Sequence, residues 1–302
     1  MSDQAWGMTR RDLLRGAAGV ALTGAGAWSR GEAQPCGSAG TGARARVVLV
    51  RDPRAIDAEG HVNGAVLGEM LDKAVTALLQ EPDPSKAWAR LFRPKDIVGI
   101  KSNEWTYLPT PPQLESAIKA RLLVAGVPEG HVAIGDRGVL RNQIFQRATA
   151  LINVRPLRTH HWSGIGGVIK NYIMFSEDPS SWHDDSCARL AGLWDLPLVK
   201  GKTRLNVLVM LTPLFHGRGP HHFNKAYLWP YKGMLVGTDP VAVDATGLRI
   251  LEAKRRAYFS GEQPLAVSPK HVRLAQERFR LGVADPSCID LVRVGWMEDA
   301  LI

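Results

Sequence analysis

Between residues 46 and 137 the chain alternates strand-like with helix-like patterns, and this alternation limits its fold more than any other feature. Arg46 to Asp52 holds the apolar run Val47-Val48-Leu49-Val50, which predicts a buried first strand. Ala65 to Leu79 places Leu67, Met70, Leu71, Val75, Leu78 and Leu79 on one helical stripe, stopped by Pro82 and Pro84. Trp88 and Leu91-Phe92 read as a short apolar connector. Asp96 to Lys101 predicts a second strand, and a helix to Ala125 follows, with Thr110 as its candidate N-cap and Gly126 as its stop. His131 to Arg137 predicts a third strand. Strand, helix, strand, helix, strand is the pattern of a parallel sheet with helical crossovers. Ligands of such sheets sit beyond the carboxyl ends of the strands, where Lys101, Asn103, Asp136 and Arg137 fall.

The second half repeats the theme less regularly. Ala150 to Val154 predicts a strand. Leu205 to Leu211, the most apolar run after residue 33, predicts a central one, and Met234 to Gly237 a short one. Asp239 and Pro240 are a cap and first-turn pair that starts a helix to about Tyr258. A helix near 269–280 and a strand over Cys288 to Trp296 complete the chain. The expected fold is α/β, with largely parallel sheets and flanking helices in two intimately packed lobes that hold the site between them.

The N-terminus has a different character. Thr9-Arg10-Arg11-Asp12-Leu13-Leu14-Arg15, a weakly apolar run from Gly16 to Ala27, and Gly31-Glu32-Ala33 have the three-part order of a twin-arginine export signal with a cut after Ala33. Residues 1–33 are therefore expected to be a signal peptide, 34–45 a flexible linker, and 46–302 a single α/β domain. The apolar run is too short to span a bilayer, so no stable membrane anchor is expected after cleavage. The expected location is the periplasm, reached through the twin-arginine machinery. The net charge of +9 favours anionic partners. The basic residues are scattered and match no nucleic-acid motif, so the partner expected is a small anionic ligand rather than nucleic acid.

Thr159 to Asn171 (Thr-His-His-Trp-Ser-Gly-Ile-Gly-Gly-Val-Ile-Lys-Asn) concentrates the candidate chemistry. Its glycines permit close backbone approach to a ligand, its histidines can move protons or bind metal, and its lysine can hold an anion or act as a base. His160, His161 and Lys170 are the candidate catalytic residues. Lys101, Asn103, Arg137 and Asn171 are candidate anion-binding residues. His183, Asp136, His216, His221 and Asp239 are candidate ligands for a divalent metal, drawn from separate loops because no tight metal spacing exists. His61, His131 and His271 read as surface or turn residues. The three cysteines, Cys36, Cys187 and Cys288, include no Cys-x-x-Cys, so no iron–sulfur cluster is expected from this chain. Pairing of Cys187 with Cys288 is left open. Asp244, inside a helix start, reads as structural.

Val98-Gly99-Ile100-Lys101-Ser102-Asn103, Ile134-Gly135-Asp136-Arg137, Gly164 to Asn171 and Gly237 to Asp244 occur together in the order of a known family. By these motifs the chain resembles exported, single-domain members of the domain of unknown function 362 family over roughly residues 45–296. More distantly it is similar to the lactate racemase (nickel-pincer) family, through a His…Gly-Gly…Lys run that falls on His160 or His161 and Lys170. That family's Asp-x-Thr-Arg motif is missing here. The resemblances imply a shared α/β scaffold with a site between two lobes. The function expected is an exported protein with a metal- or cofactor-binding site in a cleft, acting on a small anionic substrate by His/Lys chemistry. The alternative is a periplasmic metal-, cofactor- or redox-partner accessory protein without catalysis.

Overall fold

The computed structural model describes residues 44–217 and 223–302. The expected signal peptide (1–33), most of the linker and His221 lie outside the described residues. Strand β1 is Ala45–Arg51, and helices α1 (Gly64–Leu79) and α2 (Pro84–Leu91) follow it. Next come β2 (Val98–Lys101), α3 (Pro112–Val124), β3 (Val132–Gly135), α4 (Gln143–Arg147) and β4 (Ala150–His160). The short pieces β5 (Gly164–Gly166), α5 (Val168–Asn171) and α6 (Asp184–Cys187) lead to β6 (Thr203–Leu214) and β7 (Gly233–Gly237). Helices α7 (Pro240–Phe259) and α8 (Lys270–Glu277) and strand β8 (Ile289–Gly295) complete the domain.

All eight strands join one sheet, ordered β3-β2-β4-β6-β7-β1-β8, with β5 hairpinned onto β4. β3, β2, β4 and β6 are parallel neighbours, as are β1 and β8, while β7 runs antiparallel to both β6 and β1. The class is thus α/β with a mostly parallel sheet flanked by helices. One sheet runs through the domain, so the two apolar cores are its two faces. Leu205, Val207, Val209 and Leu211 enter one core with Val48 and Val50, beneath α1, α2 and α3. Leu208 and Met210 enter the other with Val47 and Leu49, beneath α5, α7 and α8. Coverage on both sides is why the inner strands read as continuous apolar runs rather than alternating ones.

Three local readings change. Pro82-Asp83-Pro84 ends nothing: α1 stops at Gln80 in a left-handed conformation, and Asp83 caps α2 by accepting from the amides of Ser85 (2.8 Å) and Lys86 (3.2 Å). Pro84 takes the first helical position, where its missing N–H costs nothing. The expected connector around Trp88 is therefore a helix that buries Trp88. Thr110 does not cap α3. Its hydroxyl accepts from Asn103 N at 3.2 Å, and its own amide donates to Asn103 O at 2.8 Å, which closes the loop between them. Strand β4 runs six residues beyond the expected end at Val154. Asp239 caps α7 as expected and also accepts from Val283 N at 2.9 Å. Among the described residues no helix is long and apolar enough to cross a membrane.

Gly99, on β2, tests the packing of this face. A Cβ there would stand 2.6 Å from the Phe145 ring and 2.9 Å from the Leu151 side chain, both fully buried. Overpacking of this kind costs about 1–3 kcal/mol. Gly99→Ala should lower the unfolding free energy by that amount, seen as a lower denaturant midpoint with an unchanged m-value; a neutral result would show that Phe145 has room to move.

Candidate functional site

The site is built on a row of polar residues that crosses the sheet. Gly135, Lys101, Asn153, Asn206 and Gly237 stand opposite one another on β3, β2, β4, β6 and β7. Asn171, from the covering turn α5, reaches down onto this row. Its Nδ2 donates to Asn153 Oδ1 (2.8 Å), Val154 O (3.0 Å) and Lys101 O (3.1 Å). Asn153 Nδ2 donates to Val168 O (2.9 Å) and Asn206 Oδ1 (3.2 Å), and Asn206 Nδ2 donates to Gly237 O (3.3 Å) and Thr238 O (3.2 Å). Lys101 Nζ donates to Asp136 Oδ1 (2.5 Å) and Ser102 O (2.7 Å). Asp136 Oδ2 accepts from Glu104 N at 2.9 Å. Burial lowers Lys101 to about 8 against the opposing pull of Asp136. For Asp136, burial pushes up, but the Lys101 charge and the Glu104 amide more than offset it and hold the carboxyl below its usual range. A buried network whose members are all partnered holds its elements in one arrangement. Lys101, Asn171 and Asp136, expected to bind ligand or metal, are engaged within the fold.

A second contact fixes the turn itself. The buried Asp244 carboxylate accepts from Val168 N (2.7 Å) and Ile169 N (2.9 Å). Its approach requires Gly167, where a Cβ would lie 2.2 Å from Asp244 Oδ1. Burial raises Asp244 to about 7, with the two amides and Arg155 pulling it back down.

Held in this way, α5 directs Lys170 toward the carboxyl end of β4. Lys170 Nζ lies 2.9 Å from His183 Nε2 and 3.9 Å from Cys187 Sγ. Burial lowers Lys170 to about 7; Cys187 opposes the shift, and Arg155 and Arg158 add to it. Burial, then the Lys170 charge, lowers both His183 and His160. The rings of His160 and His161 stack with centroids 5.0 Å apart, and those of Trp162 and His183 meet edge to face at 4.3 Å. The turn that presents Cys187 is strained. Asp185, Ser186 and Cys187 have φ of 50°, 54° and 62°, a left-handed run that costs roughly 1–2 kcal/mol per residue.

Two arginines complete the cluster. Arg155 and Arg158, on β4, are 3% and 5% exposed. Among the described residues, Arg155 Nε, Arg158 Nε and Nη1, and the neighbouring Thr159 hydroxyl are buried without a hydrogen-bond partner. The Arg158 guanidinium lies 4.0 Å over the Trp105 ring, which packs against Tyr107 and Phe223. Burial lowers Arg155 to about 10, with Asp136 and Asp244 opposing. Burial also lowers Arg158 well below the usual arginine range, and the Arg155 charge adds to the effect.

The structure therefore gathers His160, His161, Lys170 and His183, but not the expected set as a whole. Arg137 is exposed. His216 Nδ1 pairs with Arg255 Nη1 at 3.1 Å, with Tyr227 and Phe259 against its ring. Asp239 is taken up by the backbone amides it caps. Among the described residues the metal-ligand atoms that converge are those of Asp57, Glu59 and His61, all exposed and outside the expected set. Of the expected metal ligands, the described ones, His183, Asp136, His216 and Asp239, form no such group. Cys187 is a buried free thiol, so it does not pair with Cys288. His271, expected at the surface, is fully buried, because α8 packs its first turn inward. Sequence reasoning missed Arg155, Arg158, Asn153 and Asn206; it read Asp244 as structural without the turn that it holds. Asn153 and Arg155, two apart in an apolar strand, were the available signal.

The model described as "Domain of unknown function (DUF362)" matches residues 126–249, from the turn before β3 to the middle of α7. That span holds Asp136, Asn153, Arg155, Arg158, Lys170 and Asp244, and the match supports the resemblance to this family. No curated protein and no solved structure matches the chain.

Asp244 makes the stability of the fold depend on pH. Its folded value, about 7, lies above the roughly 3.9 of an unfolded aspartate. Its contribution is thus fully present below about pH 4 and is lost as pH rises through 7, with a total on the order of 4 kcal/mol. Unfolding free energies measured from pH 4.5 to 7.5 should fall with pH more steeply for the wild type than for Asp244→Asn. Parallel profiles would show that the carboxyl titrates normally.

Proposed function

We propose that this chain binds a small oxyanion, a carboxylate or a phosphate ester, at the carboxyl end of β4 and moves a proton with the Lys170–His183 pair. The observation that carries the reading is the burial of Arg155 and Arg158 with guanidinium N–H groups unspent. A buried cation without a partner costs several kcal/mol. Lys101 has Asp136 as an ion-pair partner, whereas among the described residues Arg155, Arg158 and Lys170 have no carboxylate in contact; Asp136 and Asp244 act on the arginines only from a distance. An anion would remove that cost, and a guanidinium fork matches carboxylate or phosphate oxygens.

Lys170 supplies the reactive part of the proposal. A lysine near 7 exists in both protonation states at neutral pH, as a general acid or base requires. His183 Nε2 at 2.9 Å gives its proton a place to go. His160 and His161 would line the same space. Binding without turnover, as an accessory protein would show, is separated from catalysis by whether loss of Lys170 removes a reaction or only affinity. The reading includes export of the folded chain to the periplasm by residues 1–33.

Arg158→Met keeps the bulk of the side chain and removes its charge. The ligand-free variant should melt a few degrees higher than the wild type, because an uncompensated buried charge is gone. Stabilisation by millimolar phosphate or small carboxylates should be lost, with affinity weaker by roughly 30-fold or more by calorimetry. A lower melting temperature with anion binding intact would overturn the reading. In the wild type, anion affinity should weaken between pH 6 and 8 as Lys170 gives up its proton, and Lys170→Met should flatten that profile. For export, Arg10→Lys with Arg11→Lys should hold the chain in the cytoplasm on cell fractionation; unchanged secretion would remove that part of the proposal.

A further inference from the structure

We infer that His271 is a further ligand-contacting residue of this site, one that recognises an uncharged hydroxyl or amide on the anion held by Arg155 and Arg158; this rests on the anion-binding reading above. His271 is fully buried, and neither ring nitrogen has a hydrogen-bond partner among the described residues. It is the second residue of α8, and the start of that helix is built into the site. Pro269 packs so closely on Gly164, at the head of β5, that a Cβ on Gly164 would lie 2.9 Å from its nitrogen. Lys270 Nζ bonds Asp185, in the strained turn that presents Cys187 to Lys170. The imidazole is thus enclosed by the elements that carry the cluster, and Lys170 and Arg155 act on it electrostatically. Burial first, and then those two charges, lower it to about 3, so it is neutral across the working range.

A neutral imidazole offers one donor and one acceptor. Arg155, Arg158 and protonated Lys170 only donate. His271 therefore adds an acceptor beside them, which a bare oxyanion has no hydrogen to use but a hydroxyl or amide on the same molecule does. A purely structural role explains less. Val272, Leu274 and Ala275 beside it are buried and apolar, and a leucine would fill such a place without unpaired polar atoms.

The test uses full-length protein and two probe pairs that differ by one hydroxyl: acetate against glycolate, and ethyl phosphate against 2-hydroxyethyl phosphate. Calorimetry on the wild type should show at least one hydroxylated member binding roughly tenfold tighter than its partner. His271→Leu should reduce that preference to about twofold, leave the unhydroxylated probes nearly unchanged, and melt a few degrees higher. On the wild type itself, ¹⁵N resonances of the His271 ring should move when the preferred probe is added. Anion binding with no hydroxyl preference, a preference that survives His271→Leu, or a His271 ring unmoved by bound anion would each overturn this inference and leave the anion site standing. Failure of the wild type to bind any of the four probes would overturn both.

Discussion

The contact between Asp244 and the amides of Val168 and Ile169 is the one on which the rest of the site depends. Four residues of helix make too little of their own hydrogen bonding to hold a conformation, because nucleation fixes many dihedrals for one bond. Asp244 supplies the missing acceptors from outside the segment. Gly167 lets it approach, and α7 keeps it in place from the first turn capped by Asp239. Once α5 is fixed, its last two residues diverge in role. Asn171 goes down to the sheet and ties β2, β4 and the turn together, while Lys170 goes to His183 and Cys187. Position and chemistry thus come from adjacent residues, and movement of one would carry the other.

The electrostatics of the cluster follow from the same geometry. Four cations, Lys101, Arg155, Arg158 and Lys170, share one buried region with the carboxylates of Asp136 and Asp244. Asp244 is itself raised toward neutrality by burial. Lys101 and Asp136 satisfy each other and belong to the scaffold. The remaining charges depress one another, with Arg155 and Arg158 both acting on Lys170. Burial is the main cause that brings Lys170 to about 7, the two arginines add to it, and an anion set among these charges would raise it again. Binding and proton transfer are in this way two aspects of one charge balance.

Much of the frame was legible in the sequence because apolar patterning and caps are local signals. The strand at Val47 to Val50, the stripe of α1 and the Asp239-Pro240 start of α7 each depend on residues a few positions apart. The helix α2 was not legible, since Asp83-Pro84 serves equally well as a stop for one helix or a start for the next. The site was half legible. His160, His161 and Lys170 stood out in a glycine-rich stretch, and His183 stood out as a polar loop residue. Arg155 and Arg158 did not, because the strand was expected to end at Val154 and an arginine beyond it reads as solvated until burial is known. His271 was misread for the same reason, as its helix has an amphipathic pattern in which a histidine fits either face. Asp244 was read as structural at the start of its own helix, whereas its carboxylate serves a turn 75 and 76 residues earlier.

The departure of β4 from regular geometry explains how one strand delivers both arginines. Successive side chains of a strand point to opposite faces, so residues three apart in a regular strand face opposite ways. Asn153 and Leu157 follow that alternation toward the face covered by α5 and α7, and Arg155 lies between them on the same side. Arg158 by the same rule would face α1 and α3. At this point the ladder breaks: Pro156 pairs with Val209, but Arg158 pairs with Leu214. Pro156 has no N–H to give the ladder, and the extra residues of β6 take up the difference. Beyond the break Arg158 pairs with Gly166 of β5 as well, and that glycine leaves room for the Arg155 guanidinium, whose Nη2 would be 2.9 Å from a Cβ there. The irregularity therefore releases the end of β4 from strict alternation and brings two guanidinium groups within electrostatic reach of each other at the carboxyl edge of a parallel sheet, the place where such sheets hold their ligands.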